Sequence, residues 1–208
     1  APRRERIEKS FQHLAVVAAG TRQHVEGMIG LPHQVQACQW PEVLGHRLEQ
    51  PQFGERIPQI KEFENKGAAV ERWYVNGRPL RTRGVCNCPA VMGDPNRNLY
   101  PQRWDEVPAK AYVPAERLKA LDADRVDAEV LFPNDPSSFH QYNDSEFELA
   151  CVQAYNDSLG ELTRVSARFI SLAMVPLLCG VETIVKEAQR AASQGHRGIG
   201  MFALPSLM

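Results

Sequence analysis

From Pro114 onward the chain alternates short, almost wholly apolar runs with longer stretches of helical periodicity. The apolar runs are Ala128-Glu-Val-Leu-Phe-Pro133, Arg168-Phe-Ile-Ser-Leu-Ala-Met-Val-Pro176 and Gly198-Ile-Gly-Met-Phe-Ala203. Runs bounded by turn signals and lacking clean polar alternation suit strands covered on both faces of a parallel sheet. Between the first two, Ser145 and Glu148 have capping-box spacing, and Phe147, Cys151, Ala154, Tyr155, Leu159 and Leu162 recur at helical intervals. Between the second and third, Val181, Ile184, Val185, Ala188, Ala191 and Ala192 form another stripe, closed by Gly195 as the residue after the cap. Ahead of them all, Pro114 suits a first helical position, and Leu118 with Leu121 gives one apolar face to a short helix ending near Asp124. Strand, helix, strand, helix, strand with short connections predicts a parallel α/β architecture over residues 114–208. An open sheet of this size exposes its edges, so the chain is expected to be part of a larger fold and to favour a homo-oligomer.

Residues 1–110 differ, carrying most of the prolines and little sustained periodicity, which predicts loops, short helices and a hairpin. The hairpin is Arg72-Trp-Tyr-Val75, the turn Asn76-Gly77, then Arg78-Pro-Leu-Arg81. Asn-Gly suits a two-residue type I′ turn, and Pro79 confines the second strand to an edge or ends it early. Three segments result: 1–32 without assignment, 33–113 irregular, and 114–208 built of βα units.

The 208 residues hold 24 Lys+Arg against 25 Asp+Glu, a formal net charge of −1, which removes the basic surplus expected of a nucleic-acid or acidic-membrane partner. The longest apolar stretches, such as residues 172–178, fall far short of the ~20 residues that cross a bilayer. Arg3-Arg4-Glu5-Arg6 followed by residues 14–20 imitates a signal peptide, but the apolar part has about half the usual length. Five cysteines leave at least one unpaired within the chain and form no disulfide scaffold, which points to a reducing, cytoplasmic location.

Candidate chemistry is sparse. Cys86-Asn87-Cys88 is one close thiol pair, while Cys38, Cys151 and Cys179 stand alone, so the second pair of a structural zinc site is missing. The histidines are His13, His24, His33, His46, His140 and His196, and none stand as His-x-His or His-Glu-x-x-His. His140 follows the first strand, on the side where parallel α/β folds place their chemistry, and is the candidate for a substrate-side loop. His196 precedes the third strand, on the opposite rim, and reads as structural. Asp122, Asp124 and Asp127 gather before the first strand, also on the stability side, which favours a turn and capping role. No Gly-rich phosphate loop and no Gly-x-Ser-x-Gly elbow occurs.

Several blocks in order carry a resemblance. Leu118-Lys-Ala-Leu-Asp-Ala-Asp-Arg-Val-Asp-Ala-Glu-Val-Leu-Phe-Pro133, Phe147-Glu-Leu-Ala-Cys-Val-Gln-Ala-Tyr-Asn-Asp157, Arg168-Phe-Ile-Ser-Leu-Ala-Met-Val-Pro-Leu177 and Gly195-His-Arg-Gly198 are similar to the amidohydrolase-related family, in its aminocarboxymuconate-semialdehyde-decarboxylase-like branch. Upstream, Trp40-Pro-Glu-Val43, Gly54-Glu-Arg-Ile-Pro58, Arg72-Trp-Tyr-Val-Asn-Gly77, Cys88-Pro-Ala-Val-Met92 and Tyr100-Pro-Gln-Arg-Trp104 resemble a subgroup of it. The resemblance implies a partial (β/α)8 TIM barrel in this chain, a divalent metal, usually zinc, in the complete family fold, and a small carboxylated substrate that is hydrolysed or decarboxylated without oxidation.

The family pattern also implies an Asp-x-His pair on the first strand, a His on a middle strand and an Asp on a late one. Here the first position reads Leu31-Pro32-His33, so the aspartate is replaced and His33 is the one metal-ligand candidate. The later ligands would fall beyond Met208. A catalytic zinc normally takes three protein ligands, so this chain alone is expected to bind metal weakly and to be inactive. Two further expectations stand beside it: a non-catalytic binding or assembly subunit of the same descent, and a small zinc module built on Cys86 and Cys88.

Overall fold

The computed structural model describes residues 53–80, 84–85, 96, 98–133 and 139–200. An antiparallel sheet comes first, ordered β1 (Gln59–Asn65), β2 (Ala68–Val75), β3 (Arg78–Pro79). A parallel sheet follows, ordered β4 (Glu129–Leu131), β5 (Phe169–Ala173), β6 (Gly198–Ile199). Helix α1 (Pro114–Ala123) precedes β4, α2 (Ser145–Val165) joins β4 to β5, and α3 (Gly180–Ser193) joins β5 to β6. Among the described residues no helix is long and apolar enough to cross a membrane.

The β2–β3 turn takes the expected form. Asn76 and Gly77 both have positive φ, 54° and 72°, as a type I′ turn requires, and Pro79 closes a two-residue edge strand. The partner β1 is an addition to the sequence-based picture. Its turn is Lys66-Gly67, with φ of 54° and 80°, and lysine in that conformation gives no Asn-Gly signal. The strand itself reads Gln-Ile-Lys-Glu-Phe-Glu-Asn, without strict apolar–polar alternation, and none of its residues is fully buried.

The two sheets share one core. Phe53, Trp73 and Val75 from the hairpin side join Leu131, Phe139, Phe147, Cys151, Tyr155, Leu159 and Phe169 in a single buried cluster. Phe147 is its hub, meeting Phe53, Phe139 and Tyr142 edge to face at centroid distances of 5.5, 6.4 and 5.9 Å. All six apolar positions expected on the inner face of α2 are buried.

Helix α3 departs from expectation. Of its apolar stripe only Ala191 is fully buried, while Val181 is 76% and Val185 47% exposed. The side chain that goes inward with Ala191 is Glu187. Polar partners on α2, described below, rotate the helix so that one flank of its stripe is left uncovered.

The start of β4 is pinned from the other side. Arg117 of α1 and Glu129 are both buried and paired through two hydrogen bonds, and Arg117 Nη1 also donates to the Ala111 carbonyl at 2.8 Å. Such a pair fixes geometry more than it adds net stability, since each charge loses its water.

Truncating Phe147 to alanine is expected to cost about 3–5 kcal/mol of unfolding free energy, whereas Val181→Ala stays within about 0.5 kcal/mol. Urea unfolding of both variants checks the pair, and equal losses would refute the assigned helix faces.

Candidate functional site

In parallel α/β layers the carboxyl ends of the strands are where ligands and reacting groups gather. That rim is built here by Phe132 and Pro133 after β4, by residues 174–179 after β5 and by Gly200 after β6. The outer strand ends converge, since a Cβ on Gly200 would lie 2.6 Å from Pro133 Cδ. Glycine is therefore required there by close approach alone.

Asp144 and Glu148, both at the start of α2, stand at the rim. Asp144 is the N-cap, accepting the Phe147 N–H at 3.0 Å on one oxygen and Arg56 Nη2 at 2.6 Å on the other. The Arg56 hydrogen bond, followed by the Phe147 N–H, holds its carboxyl below the ordinary aspartate range. Arg56 is itself fixed, donating from Nε to Asn76 Oδ1 at 2.6 Å with its guanidinium 4.9 Å from the Phe147 ring centroid. This joins the hairpin turn to the helix start.

Glu148 is buried, and its two oxygens accept the backbone N–H groups of Leu177 at 3.0 Å and Leu178 at 2.8 Å. The capping box expected from Ser145 and Glu148 is thus not formed. Asp144, one residue earlier, already satisfies the third N–H of the helix, which frees Glu148 to reach the loop that starts α3. Both carboxylates are occupied in holding the fold.

His140 lies in a 3-10 turn, Phe139–Tyr142, following β4, and is half-buried. His33, Cys38, Cys86 and Cys88 lie outside the described residues. Among the described residues no three of His, Cys, Asp and Glu come together to hold a metal ion. The described part of the rim therefore does not supply the three-ligand set of a catalytic zinc. Neither described thiol is activated: burial pushes the Cys151 thiol up, and burial followed by the Glu148 charge raises Cys179.

On the opposite rim, Asp122 Oδ1 accepts from Arg168 Nη1 at 2.8 Å, and Arg168 also donates to the carbonyls of Asp127 at 2.9 Å and Val126 at 2.7 Å. Asp124 caps the C-terminus of α1. His196 is buried just ahead of β6.

Sequence reasoning missed the polar contacts between α2 and α3. Asn156 Nδ2 donates to the Met174 carbonyl at 3.0 Å and to Glu187 Oε1 at 2.7 Å, while its Oδ1 accepts the Met174 N–H at 2.8 Å. Arg190 donates from Nε and Nη2 to Glu187, each at 2.8 Å, and pairs with Asp157. A polar residue on an otherwise apolar helix face, Asn156 beside Tyr155 and Leu159, is the one signal that could have revealed this.

No protein-family model matches the sequence, and no curated protein matches it.

Removing the Glu148 carboxylate as Glu148→Ala leaves two backbone N–H groups without their acceptor and is expected to cost about 3 kcal/mol, the scale of a charged hydrogen bond. Amide exchange at Leu177 and Leu178 should quicken in that variant ahead of the rest of the chain. Unchanged exchange there would show that water replaces the carboxylate without loss.

Proposed function

We propose that the chain is the N-terminal portion of a (β/α)8 barrel of the amidohydrolase-related family, whose complete fold hydrolyses or decarboxylates a small carboxylated substrate in the cytoplasm with a divalent metal, usually zinc. What carries this is the unfinished side of α3. At about 100° per residue, the residues of α3 and its C-cap that meet α2 (Glu187, Arg190 and the cap Gln194) centre about 160° away from Val181, Val185, Ala188 and Ala192. Buried Ala191 and half-buried Ile184 lie between. One flank thus meets the preceding helix, and the other, apolar and exposed, points where the helix of a further βα unit would pack.

Three further features support it. The parallel strands follow chain order, each neighbour joined through a helix, as in a barrel wall. The sheet face away from α2 is also apolar, with Val130, Ile170 and Leu172 followed by Phe132, which is 44% exposed. The resembling sequence blocks coincide with α1 to β6. In that family the metal lowers the pKa of its bound water or stabilises developing negative charge. In this chain His33 is the first-strand ligand candidate and His140 the substrate-side one.

A second reading, a non-catalytic binding or assembly subunit of the same descent, is favoured by Leu31-Pro32-His33, where the first-strand aspartate is replaced.

The purified chain is expected to show no metal-dependent turnover of ester, amide or aromatic-carboxylate substrates with zinc or manganese added. Coding sequence downstream of Met208 is expected to continue with strand–helix repeats bearing a His and a late Asp. Their absence would remove the barrel enzyme and leave the subunit. Tight stoichiometric metal, with turnover lost on His33→Ala, would show instead that this chain is active by itself.

A further inference from the structure

The ring of His196 is held at both nitrogens by two different elements. Nδ1 lies 2.9 Å from Ser171 Oγ on β5, and Nε2 lies 2.9 Å from the Asn156 carbonyl on α2. A carbonyl only accepts, so Nε2 carries the proton and donates. In the neutral ring Nδ1 is then a bare lone pair, filled by the Ser171 hydroxyl. All three residues are buried.

We propose that His196 is an acid-sensitive latch: its neutral ring ties α2 to β5 where the chain turns into β6, and a proton on Nδ1 loosens β6 and the end of α3 from the sheet. A proton there sets N–H against a hydroxyl that was donating, so the Ser171 hydroxyl hydrogen must swing off Nδ1 and lose that acceptor, and it brings a charge into a buried site. The Asn156 carbonyl that accepts from Nε2 favours the charge, but less than burial opposes it. Arg190 of α3 opposes the charge, while the carboxylates that favour it, Glu187 of α3 and Asp157 of α2, are already paired with Arg190. Strand β5, Phe169–Ala173, contributes no titratable side chain.

Strand β6 pairs with β5 through Leu172 with Gly198 and Ala173 with Ile199, flanked by Arg197 N to Ser171 O at 3.0 Å and Gly200 N to Ala173 O at 2.9 Å. At its start Gly195 turns the chain with φ of 101°. Burial, the largest influence on the imidazole, holds it below its ordinary value near 6.5. The sign follows: the folded state takes up a proton less readily than the unfolded one, so the latch is fully closed above about pH 6.5 and its contribution is lost as pH falls through the folded value.

Amide exchange at Arg197 and Gly200, corrected for intrinsic rate, is expected to quicken about tenfold or more between about pH 7 and pH 5, ahead of α2. His196→Gln keeps a donor for the Asn156 carbonyl without a titrating ring, and should flatten that dependence. If the variant does not fold, the wild-type ring followed by NMR decides. Titration below 6.5 in step with the loss of protection supports the latch. Titration at or above 6.5, protection that persists while the ring titrates, or parallel pH profiles in wild type and variant overturn it.

Discussion

The side chain of Asn156 is the interaction on which the arrangement of the α/β layer depends. Fully buried in the middle of α2, it answers both backbone groups of Met174 with its amide, as a neighbouring strand would. The same amide holds Glu187 of α3, and the residue's carbonyl accepts from His196 ahead of β6. One residue thereby fixes the end of β5, the rotation of α3 and the start of β6. Buried polar groups of this kind act by geometry: each must meet its partner, so the elements that supply the partners have one relative placement.

Around that clamp the structure separates two kinds of constraint. The apolar cluster centred on Phe147 supplies the driving force for joining hairpin and α/β layer, because it removes aromatic surface from water without dictating angles closely. Direction comes from the charged and polar pins at its margins: Arg56 between Asn76 and Asp144, Arg117 on Glu129, and Glu148 on the loop after β5. Each pin occupies a group capable of chemistry. The strand-end rim therefore contains carboxylates that support the fold, and the functional proposal rests on the apolar surface that α3 and the sheet leave open.

That open surface links architecture to function. A parallel sheet with apolar residues on both faces, beside a helix whose second flank is apolar and uncovered, is suited to lateral continuation by more units of the same kind. A barrel assembled in that way would bring ligands from separate strands to one end, the arrangement by which such folds build metal sites. The latch proposed at His196 lies at the opposite end and bears on the attachment of β6, the strand next to any such continuation.

The sequence by itself determined the elements of the second half. Proline at the start of α1, the apolar period of α2, the short buried-type runs of β4 and β5, and Asn76-Gly77 in the hairpin are local signals, each set by backbone sterics or by spacing along one element. Tertiary structure decided what depends on partners distant in the chain. Strand β1 exists because β2 offers it a ladder, Glu148 leaves its own helix for a loop 29 residues onward, and α3 buries Glu187 in place of its valines because Asn156 and Arg190 satisfy that carboxylate. Periodicity measures the free energy of exposing apolar surface, but a buried charge with all its hydrogen bonds made can outweigh two exposed valines. Only the assembled fold sets that balance.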